Sequence, residues 1–161
     1  SGHKHQRGEK ELTIADNNGN IIAPLVVRSV NTHDNVLFPE SFEKLIDTAA
    51  MLGMNLVGSY LTLDAGFDSL ANKTMIVWSE LIPVIKPNVR STKDEAKKEL
   101  MFTDFNKEIY QERINIERSI AWQDTYRKLV IRYEKLQATH LGFKYLAYSM
   151  INSRSVFGRK G

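Results

Sequence analysis

Two short apolar runs with a helix-length segment between them constrain this chain more than any other feature. Tyr60 to Leu63 and Ile82 to Ile85 have the length of strands, and about Asp68 to Leu81 has the length and apolar spacing of a helix. Strands separated by a helix run parallel, because a tight turn can join only antiparallel neighbours. The first strand ends at Asp64-Ala65-Gly66. Ligands of open α/β sheets gather at the carboxyl ends of strands, so Asp64 is placed to hold a cation. A turn-forming aspartate is the competing reading of Asp64, and Asp68-Ser69 has the chemistry of a helix cap.

The remaining segments fit around this unit. Residues 1–10 read as a loop or frayed end, with His3 and His5 too far from other ligands to suggest a metal site. Leu12 and Ile14, then Asn17-Asn18-Gly19-Asn20, then Ile21 to Val27 make a hairpin pattern, in which Asp16 is the only acid. Pro24 places the second arm at an edge or bulge. Phe38 to Leu52 follows a helical period with Pro39 near its first turn and Gly53 as its stop. His33-Asp34, before it, reads as a turn or cap. Lys86 to about Leu100 reads as a loop, about Phe105 to Leu136 as a long helix, and about Thr139 to Ser153 as another. The expected fold class is α/β, a mixed sheet flanked by helices with a long helical C-terminal part.

A length of 161 residues suits one domain. No run approaches the roughly 18 apolar residues of a membrane span. The lack of cysteine fits a reducing cytosol. The chain opens on Ser1-Gly2 instead of Met, which suggests a piece of a longer protein, and residues 1–10 and 155–161 are expected to be flexible. Charge is unevenly spread. Residues 1–85 carry 6 Lys/Arg against 10 Asp/Glu, whereas residues 86–161 carry 16 against 9. An acidic front suits a cation site and a basic back suits phosphates, although a solvated helical face gives the same count.

Within the basic half, Tyr110, Arg113 and Glu117 stand at i, i+3 and i+7 of the expected long helix. At 3.6 residues per turn they share one face. Taken alone, that stripe could be an exposed ion pair beside a packed tyrosine. Together with Asp64 it has the ingredients of two-metal phosphodiester chemistry: separate carboxylates that converge on divalent ions, and a guanidinium that grips phosphate. Trp122 could pack in the core or stack on a base. Phe143, Tyr145, Leu146 and Tyr148 could pack inward or form a dimer surface.

These strings resemble a known family. LTLDAGFDS (residues 61–69) is similar to the strand-Asp-x-Gly-Tyr/Phe-Asp-Ser element around the second catalytic Asp of bacterial insertion-sequence DDE transposases, the IS-four/IS-five-like group. YQERINIERSIAWQDTYRKLVIRYE (residues 110–134) resembles their Tyr-x-x-Arg-x-x-x-Glu helix and its Glu-Arg-x-x-Ala-Trp sequel. NTHD (31–34), PVIKPN (83–88) and the closing LGFKYLAYSMINSR match in family order. The resemblance implies a ribonuclease H-like sheet lacking its first strand, Mg²⁺ or Mn²⁺ as cofactor, and double-stranded DNA as partner, at element ends and at the target. It also implies a homodimer in the intact transposase and no membrane association.

By the same resemblance Asp64 is the second acid of the triad and Glu117 the third, both binding metal. Tyr110 and Arg113 contact the DNA backbone near the cut, and Arg127, Lys128 and Lys86 are further phosphate contacts. Where many relatives carry Lys seven residues after the Glu, this chain has Asp124, so that role passes to Arg127 or Lys128. The first Asp of the family falls on a strand upstream of Ser1, which implies a truncated or split catalytic domain. Two alternatives stay open: a non-catalytic DNA-binding remnant, and another two-metal nuclease of the same fold.

Overall fold

In the computed structural model of this chain the described residues are 9–126, 129 and 136–157. They divide into two compact units, residues 9–13 with 24–112, and residues 14–23 with the described part of 113–157.

The first unit holds the strand–helix–strand element. Strand β3 (Tyr60–Leu63) pairs in parallel with β4 (Ile82–Ile85), Tyr60 opposite Ile82 and Leu63 opposite Ile85. Pro83 lacks a ladder donor, which an outer strand tolerates. Helix α2 (Leu70–Trp78) makes the crossover. It is shorter than the sequence pattern suggests, because Ser69 caps it by accepting from the Asn72 N–H at 3.2 Å, and Glu80, at φ 60°, turns the chain into β4. Strands β1 (Glu9–Leu12) and β2 (Val26–Ser29) pair antiparallel, Glu9 opposite Ser29 and Leu12 opposite Val26. β1 thus begins inside the segment expected to be loop, and β2 begins after Pro24. The antiparallel and parallel pairs share no strand among the described residues, so they form two small sheets where one mixed sheet is expected.

Helix α1 (Asp34–Leu52) starts four residues before Phe38, with His33 at its N-cap position and Asp34 in the first turn, where a negative charge meets the positive end of the helix. Pro39 therefore lies deeper in the helix than expected. Gly53 ends α1 in the left-handed region at φ 65°, and the Met54 N–H reaches the Ala49 carbonyl at 2.8 Å to close it. Phe38, Phe42 and Leu45 point from α1 into the core and are buried, as are Leu61, Leu63, Ile76, Val84 and Ile85. The Phe38 ring stacks on Phe42 at 5.5 Å and meets Phe67 edge-on at 5.9 Å.

Two corrections concern the basic half. The stretch expected as loop from Lys86 to Leu100 contains most of a short helix, α3 (Glu95–Met101), which Asp94 caps through the Ala96 N–H at 3.0 Å. The long helix expected from Phe105 is broken. Helix α4 (Lys107–Gln111) ends at a turn through Glu112 and Arg113, and α5 (Ile114–Asp124) begins after it. Gln, Glu and Arg are good helix formers, so local propensity does not cause this break. Packing accounts for it, since α4 lies on β3 and β4 whereas α5 packs on another helix.

That other helix is α6 (Gln137–Phe157), longer at both ends than its sequence pattern. In this second unit the tip of the hairpin, residues 14–23, folds on α5 and α6. Asp16 takes the turn role: one carboxylate oxygen accepts from the backbone N–H groups of Asn18 and Asn20, the other from the Asn20 side-chain amide. Gly19 adopts φ 83°, and its carbonyl accepts from the Ser119 hydroxyl on α5 at 2.5 Å. On α6, Asn152 exchanges two hydrogen bonds with the Ile21 backbone, at 2.8 and 2.9 Å. No helix among the described residues is long and apolar enough to cross a membrane.

Phe38 has no exposed surface and joins two aromatic contacts, so Phe38→Ala should lower stability by about 3–5 kcal/mol. Urea unfolding of the protein and the variant measures this. A loss under about 1 kcal/mol would mean that Phe38 does not hold the core together.

Candidate active site

The parallel register places two sequence-predicted residues at one edge. Leu63 and Ile85 are partners, and the Lys86 N–H donates to the Leu63 carbonyl at 3.0 Å. Asp64 and Lys86 therefore leave the sheet side by side, at its carboxyl end. Both side chains are exposed. An exposed carboxylate beside an ammonium-bearing residue can meet a phosphate and a cation together.

Tyr110 reaches the same edge from α4. Its hydroxyl donates to Asp64 Oδ1 at 2.9 Å, a bond across 46 residues of sequence. Several local features bring it there. Asn106 caps α4 by accepting from the Ile109 N–H at 3.0 Å. The Tyr110 ring lies 5.0 Å from Phe105, which in turn meets Phe102 at 5.6 Å. Such aromatic contacts add to the burial of the rings and limit their rotation.

The turn that follows Asp64 is pinned from several sides. Ala65–Phe67 forms one 3₁₀ turn, with the Phe67 ring in the core against Phe38. Buried Asn72 donates its side-chain amide to the Phe67 carbonyl and to Asn35 Oδ1, both at 2.9 Å. Gly66 is required by close approach: a Cβ there would stand 2.5 Å from Asp34 Oδ2. Asp34 cannot yield freely, because its other oxygen accepts from the Lys10 ammonium at 2.8 Å.

Asp68 completes the clamp. One of its oxygens accepts from Lys73 Nζ at 2.6 Å on α2, the other from the Asn88 N–H at 2.8 Å on the loop after β4. Burial is the largest single influence on its carboxyl and opposes ionisation. The hydrogen bonds from Lys73 and Asn88, with the Lys73 charge, outweigh burial and hold the pKa below the ordinary aspartate value. Asp68 is thus more than a helix cap. The sequence offered only a weak signal for this, an acid four residues after Asp64 and five before a lysine.

The other predicted residues fall in the second unit or beyond the described residues. Arg113 is half-buried at the N-cap position of α5. Its carbonyl accepts from the N–H groups of Ile116 and Glu117, at 3.1 and 3.4 Å. Glu117 is exposed in the first turn of α5. The helix expected to carry Tyr110, Arg113 and Glu117 is interrupted by the turn between α4 and α5. Trp122 is 48% exposed, which corrects the core reading, and the Arg154 guanidinium lies 4.2 Å from its ring centroid. Arg127 and Lys128 lie outside the described residues. On α6, Tyr148 is buried while Tyr145 and Leu146 are exposed.

Asp64 and Glu117 offer hard oxygen ligands suited to a divalent cation. Among the described residues no three His, Cys, Asp or Glu side chains cluster closely enough to hold a metal ion. The donor chemistry fits, while the described residues alone form no complete ligand set in one cluster.

In open α/β sheets ligands gather at the carboxyl ends of the strands, which is the edge that Asp64 occupies. The family model described as "Transposase DDE domain" matches residues 1–150, and the chain belongs to that family. No curated protein and no solved structure matches it.

The lowered pKa of Asp68 sets the direction of a pH effect. In the unfolded chain its carboxyl titrates near 3.8, and in the folded protein it titrates lower. Between the two values the unfolded chain binds more protons, so stability rises with pH. The stability advantage over Asp68→Asn should be level above about pH 5 and shrink as pH falls through the lowered value. Urea unfolding of both proteins across that range reads the difference, and a gap independent of pH would show that the Lys73 and Asn88 contacts do not favour the charged form.

Proposed function

We propose that this chain is catalytic machinery of a bacterial insertion-sequence DDE transposase, with a ribonuclease H-like arrangement of its strands. In the proposed reaction a water molecule attacks a phosphodiester at the end of the element, and the bond to the 3′ oxygen breaks. The released 3′-hydroxyl then attacks target DNA, where a new phosphodiester forms and a target 3′-hydroxyl leaves. The observation that carries this reading is the Tyr110–Asp64 hydrogen bond at 2.9 Å. It joins the two family motifs, which lie far apart in sequence, at the carboxyl edge of the strand pair.

In this proposal Asp64 and Glu117 supply metal ligands, and Tyr110 orients the Asp64 carboxylate as well as the DNA strand. Mg²⁺ or Mn²⁺, when bound, would supply charge stabilisation of the attacking and leaving oxygens. Lys86 and Arg113, with Arg127 and Lys128, hold phosphates by charge and by bidentate hydrogen bonding. Double-stranded DNA is the substrate, and a homodimer is the working form.

Calorimetry of Mn²⁺ binding to the protein and to Asp64→Ala and Glu117→Ala tests the acid pair. The proposal expects micromolar-to-millimolar binding, lost in both variants. Binding indifferent to both changes, with DNA affinity retained, would instead mark a DNA-binding remnant without catalysis. Tyr110→Phe keeps the ring against Phe105 and removes only the hydroxyl. It should weaken Mn²⁺ binding severalfold and leave the unfolding midpoint nearly unchanged. Unaltered metal affinity would mean that the Tyr110 hydroxyl does not position Asp64.

A further inference from the structure

A cleft of about 240 Å³ opens in the second unit, under the hairpin tip and against α5 and α6. Its walls are tied together. Ser119 bonds the Gly19 carbonyl, Asn115 donates to Asn17 Oδ1 at 2.8 Å, and Asn152 brackets the Ile21 backbone. Two cations reach the cleft, Arg118 from α5 and Arg154 from α6, and among the described residues no carboxylate lines it. Asp16, on the same hairpin, spends both carboxylate oxygens on hairpin amides. Trp122 lines the cleft with its ring beneath the Arg154 guanidinium, and Asn18 and Asn20 add neutral amide or carbonyl groups.

This combination narrows the ligand. The two guanidinium groups call for an anion with several oxygens, and planar guanidinium forks match phosphate. The indole with its stacked guanidinium presents a flat surface of the kind on which unstacked bases lie. The volume is well above the roughly 30 Å³ of one water and just under the range of ~300–1,000 Å³ typical of larger organic ligands. It suits one nucleotide. A base still paired inside a duplex has no free face for the Arg154–Trp122 stack.

We propose that this cleft binds one unpaired nucleotide of a DNA strand. Arg118 and Arg154 hold its phosphate, and its base extends the stack formed by Trp122 and Arg154. The inference rests on the proposal that DNA is the substrate. It adds a second contact region, built from Arg118, Arg154 and the hairpin tip, which the acid at β3 does not include.

The chain has two tryptophans, so Trp78→Phe leaves Trp122 as the single fluorescent indole. Titration of that protein with a short oligothymidylate should quench Trp122. By fluorescence anisotropy, Arg154→Ala and Arg118→Ala should each lower single-strand affinity about tenfold, comparable to a lost stacked base. Each should also reduce the slope of log affinity against log salt by about 0.7. Affinity for a duplex of equal length should change less than twofold, and Arg154→Gln, which keeps much of the side chain's packing, should lose single-strand affinity as Arg154→Ala does. If both DNAs bind without quenching, or if the variants weaken duplex and single strand alike, the nucleotide cleft is refuted while DNA as substrate stands. If neither DNA binds at all, both proposals fall.

Discussion

The parallel pairing of β3 with β4 is the constraint on which the first unit depends. Leu61, Leu63, Val84 and Ile85 are buried by it, and its register puts Asp64 and Lys86 at one edge. Leu61 and Leu63 share one face of β3, and a slip of one residue would turn both to the other, so this apolar pattern and the position of Asp64 are selected together. Helix α2 has to cross from the end of one strand to the start of the other. This in turn places Ser69, Asn72 and Lys73 next to the turn they anchor.

Around that edge, polar groups do the positioning that apolar packing alone would leave loose. Asn72 is buried, and an amide without partners there would cost roughly 1–3 kcal/mol. Its two donated bonds satisfy the group and tie the turn after Asp64 to α1. Asp68 bridges α2 and the loop after β4, and Asp34 fills the space that Gly66 leaves open. Asp64 itself stays exposed, and its hydrogen bond to Tyr110 shows how a rigid surround can support an accessible acid.

The second unit holds a hairpin tip on two helices, with Ile14, Tyr148 and Ile151 buried among its described residues. Specific hydrogen bonds tie the tip down, from Ser119 to Gly19 and between Asn152 and Ile21. Arg118 and Arg154 are exposed, and Arg154 lies over an exposed indole. Trp122 shows why aromatic residues are hard to read from a sequence. Its spacing suits burial, yet its 48% exposure follows from what α6 presents to it, an arginine in place of an aliphatic side chain.

The sequence by itself determined the parallel unit, the hairpin signal, the stop at Gly53 and the acid that ends β3. Each rests on short-range rules: strand length, turn residues, glycine's access to positive φ and the pattern of apolar residues. The same reasoning named Tyr110 and Asp64 separately, and their motifs pointed to the family to which the chain belongs. Tertiary structure decided the rest. It broke the helix at Glu112–Arg113, where α4 meets a sheet and α5 meets a helix, although the local residues favour continuity. It joined Tyr110 to Asp64, gave Asp68 two partners from separate elements, and set Arg154 over Trp122. Those contacts link residues from 5 to 46 positions apart along the chain, and the longest of them arise only once separate elements have packed.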